Sequence, residues 1–268
     1  MTRITEQPSR YDHLESRSVD ELIGWINDED ATVAAAIKKA LPQVSSLIKE
    51  IVKKLKTGGR LFYLGAGSGG RLSVLDAIEL PTTYGIDEGV VNVILAGGMK
   101  DLVLALEEKE DDIEDAVRQI EEYNIGPNDF VIGIAASGST PFVLHGLKEC
   151  NRRGAATGCM VNNPDSSIAA EAQWPVEVVM GPEFITGSTR MKCGTAQKML
   201  LDMISTTVMI QMGRVEGNQM VNVKLINDKI VDRAVKMLMG SSGITDYDKA
   251  RSMLLEYGSV KKALNHIK

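Results

Sequence analysis

Five short apolar runs limit what this chain can fold into. They are Arg60–Leu64, Val90–Leu95, Phe130–Ala135, Ala155–Val161 and Val176–Met180. None alternates cleanly between apolar and polar positions, which is the pattern of strands covered on both faces. Segments with helical spacing separate or follow them: Arg71–Leu80, Leu102–Tyr123, Pro141–Arg153 and Met191–Met212. Alternation of strand and helix predicts an α/β fold, with a doubly wound, mostly parallel sheet of about five strands between helices. Right-handed crossovers then bring the C-terminal ends of the strands to one edge, where such sheets bind ligands.

Helices are expected on both sides of this series. Ser18-Val19-Asp20-Glu21 has the spacing of a capping box, and the short helix it opens should stop in the acidic stretch Asn27–Asp30. A longer helix fits Val33–Lys56 and ends at Gly58-Gly59, with Pro42 expected to kink or split it. Beyond Gly217 the pattern is helical again: Val221–Met239, Tyr247–Tyr257 and Val260–Ile267, with Gly240-Ser241-Ser242-Gly243 as a loop. The expected division is an N-terminal helical segment (1–53), a sheet-containing unit (54–217) and a small C-terminal helical region (218–268).

Composition removes several function classes. A net charge of −6 argues against nucleic acid as a partner. The polar start MTRITEQPSRYDH has no apolar core of a signal peptide, and no run is long enough to cross a bilayer. Three cysteines, Cys150, Cys159 and Cys193, lack metal-ligand spacing and read as buried thiols of a reducing compartment. A cytoplasmic protein without metal or cofactor is the expectation. The methionine-rich stretch Met191–Met220 and the N-terminal helices offer enough apolar face to predict a homodimer.

Three hydroxyl-rich loops follow strands. The first is Gly65-Ala66-Gly67-Ser68-Gly69-Gly70, the second Ala136-Ser137-Gly138-Ser139-Thr140-Pro141, and the third Thr186-Gly187-Ser188-Thr189-Arg190. Serine and glycine cap helices everywhere. Two such loops opening helices at one sheet edge nevertheless favour an anion site, because backbone N–H groups and hydroxyls converge there. The first loop is neither a dinucleotide fingerprint, since Leu95-Ala96-Gly97-Gly98 stands where the acidic residue belongs, nor a Walker loop, since no Gly-Lys-Ser/Thr follows.

Carboxylates supply the remaining chemistry. Glu79 lies in an apolar frame near a helix end, where the helix dipole disfavours it. Asp76 reads either as a salt-bridge partner of Arg71 or as a site residue. The run Glu107-Glu108-Lys109-Glu110-Asp111-Asp112 reads by itself as a solvated helix face. Arg190 and Lys192 read either as an anion site or as surface charges. His13, His145 and His266 are scattered.

Together these segments resemble the N-acetylmuramic acid 6-phosphate etherases, a branch of the sugar isomerase (SIS) domain proteins. The resemblance rests on TEQ (Thr5–Gln7), INDEDATV (Ile26–Val33), GGRLFYLGAGSGGRLSVLDAIELPTTYG (Gly58–Gly85) and LAGG (Leu95–Gly98). IAASGSTP (Ile134–Pro141), ITGSTRMKCGTAQK (Ile185–Lys198) and GNQMVNV (Gly217–Val223) complete it, in order and over nearly the whole chain. It implies a sugar 6-phosphate ligand held by Ser68, Gly69, Ser137, Gly138, Ser139, Thr140 and Ser188, and two catalytic carboxylates, Glu79 and Glu110. Glu107 and Glu108 lie beside the second. The family often has Thr-Ser at Ser68-Gly69 and Arg at Ser139, so backbone N–H groups are expected to share the phosphate.

The implied reaction removes D-lactate from the sugar without metal or cofactor. In the open-chain form the C2 proton lies beside the aldehyde and is acidified. Glu110 takes it as base, Glu79 protonates the departing lactate at C3, and water adds to the unsaturated aldehyde. SIS domains also serve as sugar-phosphate sensors, which need the cradle but neither carboxylate, and as aldose–ketose isomerases.

Overall fold

The computed structural model describes residues 3–104 and 106–267; Met1, Thr2, Ala105 and Lys268 lie outside the described residues. Helix α1 (Val19–Ala31) opens at the expected capping box: the Ser18 hydroxyl accepts from the Glu21 N–H, and the Glu21 carboxylate accepts from the Ser18 N–H. It runs through Asn27–Asp30 instead of stopping there, because Glu29 turns inward and is buried. Helix α2 (Val33–Lys56) is unbroken and buries Val33, Ile37, Ala40, Val44, Leu47, Ile51 and Leu55 along one stripe. Pro42 is tolerated because it and Lys38, whose carbonyl loses its helical partner, both face solvent.

The alternating series follows: β1 (Leu61–Gly65), α3 (Gly67–Tyr84), β2 (Val91–Leu95), α4 (Ile113–Glu122), β3 (Phe130–Ile134), α5 (Pro141–Arg152), β4 (Ala156–Val161), α6 (Ser167–Glu171), β5 (Trp174–Glu177) and α7 (Lys192–Gln211). The five strands pair in the order β2-β1-β3-β4-β5, all parallel. Alternate residues of β1 enter different cores. Leu61 and Tyr63 pack with α2, α3 and α7, whereas Phe62 and Leu64 pack with α4 and α5. Both sheet faces are therefore covered, as the absence of polar alternation required.

Besides the end of α1, four regions differ from expectation. The fifth strand begins at Trp174, pairing with Gly158, and ends before Val178–Met180. Helix α3 starts at Gly67, inside the glycine run. The expected helix Leu102–Tyr123 is instead a 3-10 turn at Gly98–Leu102, a second at Glu107–Asp111, and α4. Asp112 caps α4 by accepting from the Asp115 N–H (3.0 Å), so the acidic run gathers at that helix's positive end instead of along its side.

The fourth concerns the C-terminal region, where the chain stays irregular to Asn227 and then forms α8 (Asp228–Ser242), α9 (Tyr247–Tyr257) and α10 (Val260–Ile267) around their own core of Val235, Leu238, Leu254 and Leu264. Gly240–Ser242 is helical, and only Gly243, at φ +75°, turns the chain. No described helix is long and apolar enough to cross a membrane.

Candidate active site

The strand order reverses between β1 and β3, so the connections leaving them diverge and open a crevice at the C-terminal edge. The first and second hydroxyl loops leave the sheet at this point. A cavity of about 130 Å³ lies between them, lined by Ala66–Gly69, by Ala135–Ser137 and Thr140, by Gly187 and Thr189 of the third loop, and by Glu6, Glu110 and Gln197. Ser137 also lines an adjoining cleft of about 600 Å³ with Arg3, Ile4, Gly138, Ser139 and Asn163.

Two helices point open N-termini at this cavity. Helices α1, α4, α6, α8 and α9 are each capped by the side chain before them: Ser18, Asp112, Ser166, Asn227 and Asp246. Among the described residues, neither α3 nor α5 is capped by the side chain of the residue before it. Ala66 has no group to offer, and the Thr140 hydroxyl lies 3.3 Å from that of Ser137. The first-turn N–H groups of both helices thus remain for an anion. Tight turning makes this possible: a Cβ on Gly65 would stand 2.7 Å from the Gly70 Cα. Among the described residues lining the cavity there is no Lys or Arg. An anion bound there relies on hydroxyls, peptide N–H groups and two helix dipoles.

Glu110 belongs to this cavity. The 3-10 turn Glu107–Asp111 swings it over the first loop, where a Cβ on Gly67 would lie 2.6 Å from its Oε1. Gly67 is also at φ +54°, so any other residue there would both strain the backbone and crowd the carboxylate. Glu107 and Glu108 point to solvent, and Asp112 bonds Lys109 at 3.0 Å. The turn thus sets Glu110 apart from Glu107, Glu108 and Asp112.

Glu79 does not join Glu110. It is exposed on α3, twelve residues past Gly67, or about 18 Å along the helix axis. It lines a groove of about 300 Å³ with Leu75, Asp76, Thr83, Lys198 and Asp202. Asp76 turns inward and accepts hydrogen bonds from Tyr63 Oη (2.9 Å) and Ser205 Oγ (2.8 Å). Burial pushes its carboxyl up to about 6, against the opposing pull of those two hydroxyls.

The second and third loops divide. Ser137 and Thr140 line the cavity, while Gly138 and Ser139 face the adjoining cleft, with the Ser139 N–H donating to Ser137 Oγ (3.3 Å). In the third loop Gly187 and Thr189 reach the cavity and Ser188 does not. The helix behind that loop, α7, is already closed: buried Glu183 accepts from the N–H groups of Lys192 and Cys193, both at 2.9 Å. Lys192 is neither an anion site nor a surface charge, since it is buried in an ion pair with Glu29; Arg190 is exposed.

Two cavity residues escaped the sequence reading, Glu6 and Gln197. Gln197 is a buried polar residue on the apolar face of α7, beside Ala196, Leu200 and Leu201, and that mismatch was the available signal. None of the histidines lines the cavity: His145 is half-buried on α5 and His266 stacks on Tyr257. All three cysteines are buried free thiols, and burial pushes Cys150 and Cys159 up to about 12, which leaves them unreactive.

Comparison with known proteins identifies relatives and shared folds. The model of the glucokinase regulatory protein N-terminal SIS domain matches residues 43–151, and that of the SIS domain matches residues 112–207. An N-acetylmuramic acid 6-phosphate etherase of Bacteroides fragilis is 50% identical over 266 residues, covering 99% of this chain and 94% of its own. The protein of the same name from Porphyromonas gingivalis is 48% identical, covering 99% and 97%. Among solved structures, phosphoheptose isomerase GmhA from Neisseria gonorrhoeae shares the fold at a TM-score of 0.56 and 14% identity, over 71% of this chain and 98% of its own. A phosphoheptose isomerase from Francisella tularensis does so at 0.53 and 14%, over 74% and 100%.

Proposed function

This chain belongs to the N-acetylmuramic acid 6-phosphate etherase family, and from that premise we propose that it cleaves the D-lactyl ether of N-acetylmuramic acid 6-phosphate. The products are N-acetylglucosamine 6-phosphate and D-lactate, as in the recycling of cell-wall sugars. The observation that carries the reading is the Glu110 carboxylate held against the first loop, between two uncapped helix N-termini. The phosphate sits on those helix ends with Ser68, Gly69, Ser137 and Thr140, and so fixes C2 and C3 of the open-chain sugar. Gly138 and Ser139 shape the adjoining cleft, and Ser188 supports the loop that supplies Gly187 and Thr189.

Glu110 is the base for the C2 proton. The acid role of Glu79 requires a second copy of the chain, because its own α3 carries it about 18 Å from Gly67. Leu75 and Ile78, exposed beside Glu79 on the same helix, support a homodimer that covers this face. The buried free thiols suit a cytoplasmic setting, and residues 54–217 form the sugar-phosphate unit.

The test is lactate release by mixed dimers. Glu79→Gln and Glu110→Gln should each be inactive alone. Co-refolded at equal amounts they should regain roughly a quarter of the sites, since each mixed dimer holds one intact pair. No recovery would return both carboxylates to one subunit. Full activity in both variants would move the chemistry to other residues, and no lactate release from the unaltered protein would favour a sensor.

A further inference from the structure

The N-terminal segment crosses both clefts of the site, with Glu6 on the cavity and Arg3 and Ile4 on the adjoining cleft. A terminal segment is ordinarily loose, but this one is fastened on both sides of Glu6. Before it, the buried Asn163 side chain accepts from the N–H of Ile4 (2.6 Å) and Thr5 (3.3 Å) and donates to Thr5 Oγ1 (2.9 Å). The same amide donates to the carbonyls of Ala136 (3.1 Å) and Ser137 (3.2 Å), so Asn163 ties the segment to the second loop. After it, the Ser9 N–H donates to Thr186 Oγ1 (2.9 Å) and the Ser9 hydroxyl to the Phe184 carbonyl (2.7 Å), on the run leading into the third loop. Thr5 is buried, while Glu6 is exposed at the cavity.

The Glu6 carboxylate stands over Gly187, where an added Cβ would lie 3.4 Å from Oε2. Among the described residues no donor meets it. A carboxylate accepts hydrogen bonds and repels a phosphate dianion, so its ligand is not the phosphate on the helix ends. It faces the part of the ligand that carries O–H and N–H groups.

We infer that Glu6 is a substrate-binding residue. Held by Asn163 and Ser9, it accepts hydrogen bonds from hydroxyl or amide N–H groups of the sugar chain while the phosphate occupies the first and second loops. This rests on the sugar-phosphate reading of the cavity, and it adds the N-terminal segment as the wall that reads the sugar.

The experiment measures calorimetric binding of N-acetylglucosamine 6-phosphate and of inorganic phosphate to the full-length protein, its Glu6→Ala and Glu6→Asp variants, Asn163→Ala and the double variant. Loss of a hydrogen bond to a charged group predicts a roughly 10- to 100-fold weaker sugar phosphate for Glu6→Ala, partly restored in Glu6→Asp. Inorganic phosphate should bind as well as before, or better for the lost negative charge. Adding Glu6→Ala to Asn163→Ala should weaken the sugar phosphate little further, because the loosened segment no longer presents the carboxylate. Unchanged sugar-phosphate binding in Glu6→Ala, an equal loss of phosphate binding, or full additivity of the two substitutions would each overturn the inference. Failure of the unaltered protein to release lactate would instead overturn the etherase reading, and the Glu6 binding result would still be decided.

Discussion

The first and third hydroxyl-rich loops look alike in sequence, and the structure gives them opposite uses. Both mix glycine with hydroxyl residues, and both open a long helix. The helix behind the first begins after Ala66, which cannot cap it. The helix behind the third begins under Glu183, whose buried carboxylate takes two of its N–H groups. One positive helix end lacks a cap from the residue before it and the other is neutralised from within. A loop's composition therefore says little about anion binding until the partner of its first helical turn is known.

The largest effect should come from the open end. Glu110→Gln should lower lactate release by a factor on the order of 10² to 10⁴, the usual loss for a positioned base. Glu107→Gln and Glu108→Gln, both exposed, should leave it within about twofold. A single-turnover assay separates these outcomes, and a dead Glu107→Gln with an active Glu110→Gln would break the assignment of the turn.

At the closed end the effect should be on folding. Glu183→Ala removes two charge-assisted hydrogen bonds and leaves their donors buried, at a cost of about 3 to 5 kcal/mol. Ser68→Ala, at the open end, should change stability by no more than about 0.5 kcal/mol. Urea midpoints measure both. Equal losses would mean that the first helix is closed by a partner of its own.

The first helix is fixed at its middle instead, through Asp76. Its carboxyl is raised to about 6 in the folded protein from an ordinary 3.8. Below about pH 3.8 both states are protonated. Between there and about 6 the folded state keeps a proton that the unfolded state has released, so this group's contribution falls as pH rises. Above 6 it stands lower by about 2 to 3 kcal/mol. Asp76→Asn should abolish that fall, so the variant should gain on the unaltered protein between pH 4 and pH 7 in urea titrations. An unchanged difference across that range would show that Tyr63 and Ser205 hold Asp76 charged throughout.

Much of the fold was legible because its signals are local. The covered strands, the Ser18 capping box and the boundaries of α2, α9 and α10 follow from short patterns. Helical spacing places the acidic run on the side of one helix, because it does not reveal where Asp112 begins a new one. Among site residues, the two open loops stand out by glycine and serine content, whereas Glu6 comes from a segment about 60 residues earlier and Gln197 from a helix in the other core. Their place depends on long-range contacts such as Asn163 to Thr5, which no window of sequence contains. The motif around Glu79 names the residue, and the distance along α3 is what a motif cannot show.

The smallest effects give the finest test of the difference between the loops. Ser137 lines the cavity and receives the Ser139 N–H and the Thr140 hydroxyl contact, so its oxygen is held in place before a ligand arrives. Ser137→Ala should weaken binding of the sugar phosphate by about 1 to 2 kcal/mol, one hydrogen bond to a charged group. Ser188 lies in the loop whose helix Glu183 has closed, and it does not line the cavity. Ser188→Ala should therefore leave binding within about twofold. Equilibrium dialysis with N-acetylglucosamine 6-phosphate resolves both. If Ser188→Ala cost as much as Ser137→Ala, the third loop would have to move onto the phosphate when the ligand binds, and Glu183 would have to release at least one of its two N–H partners to let it do so.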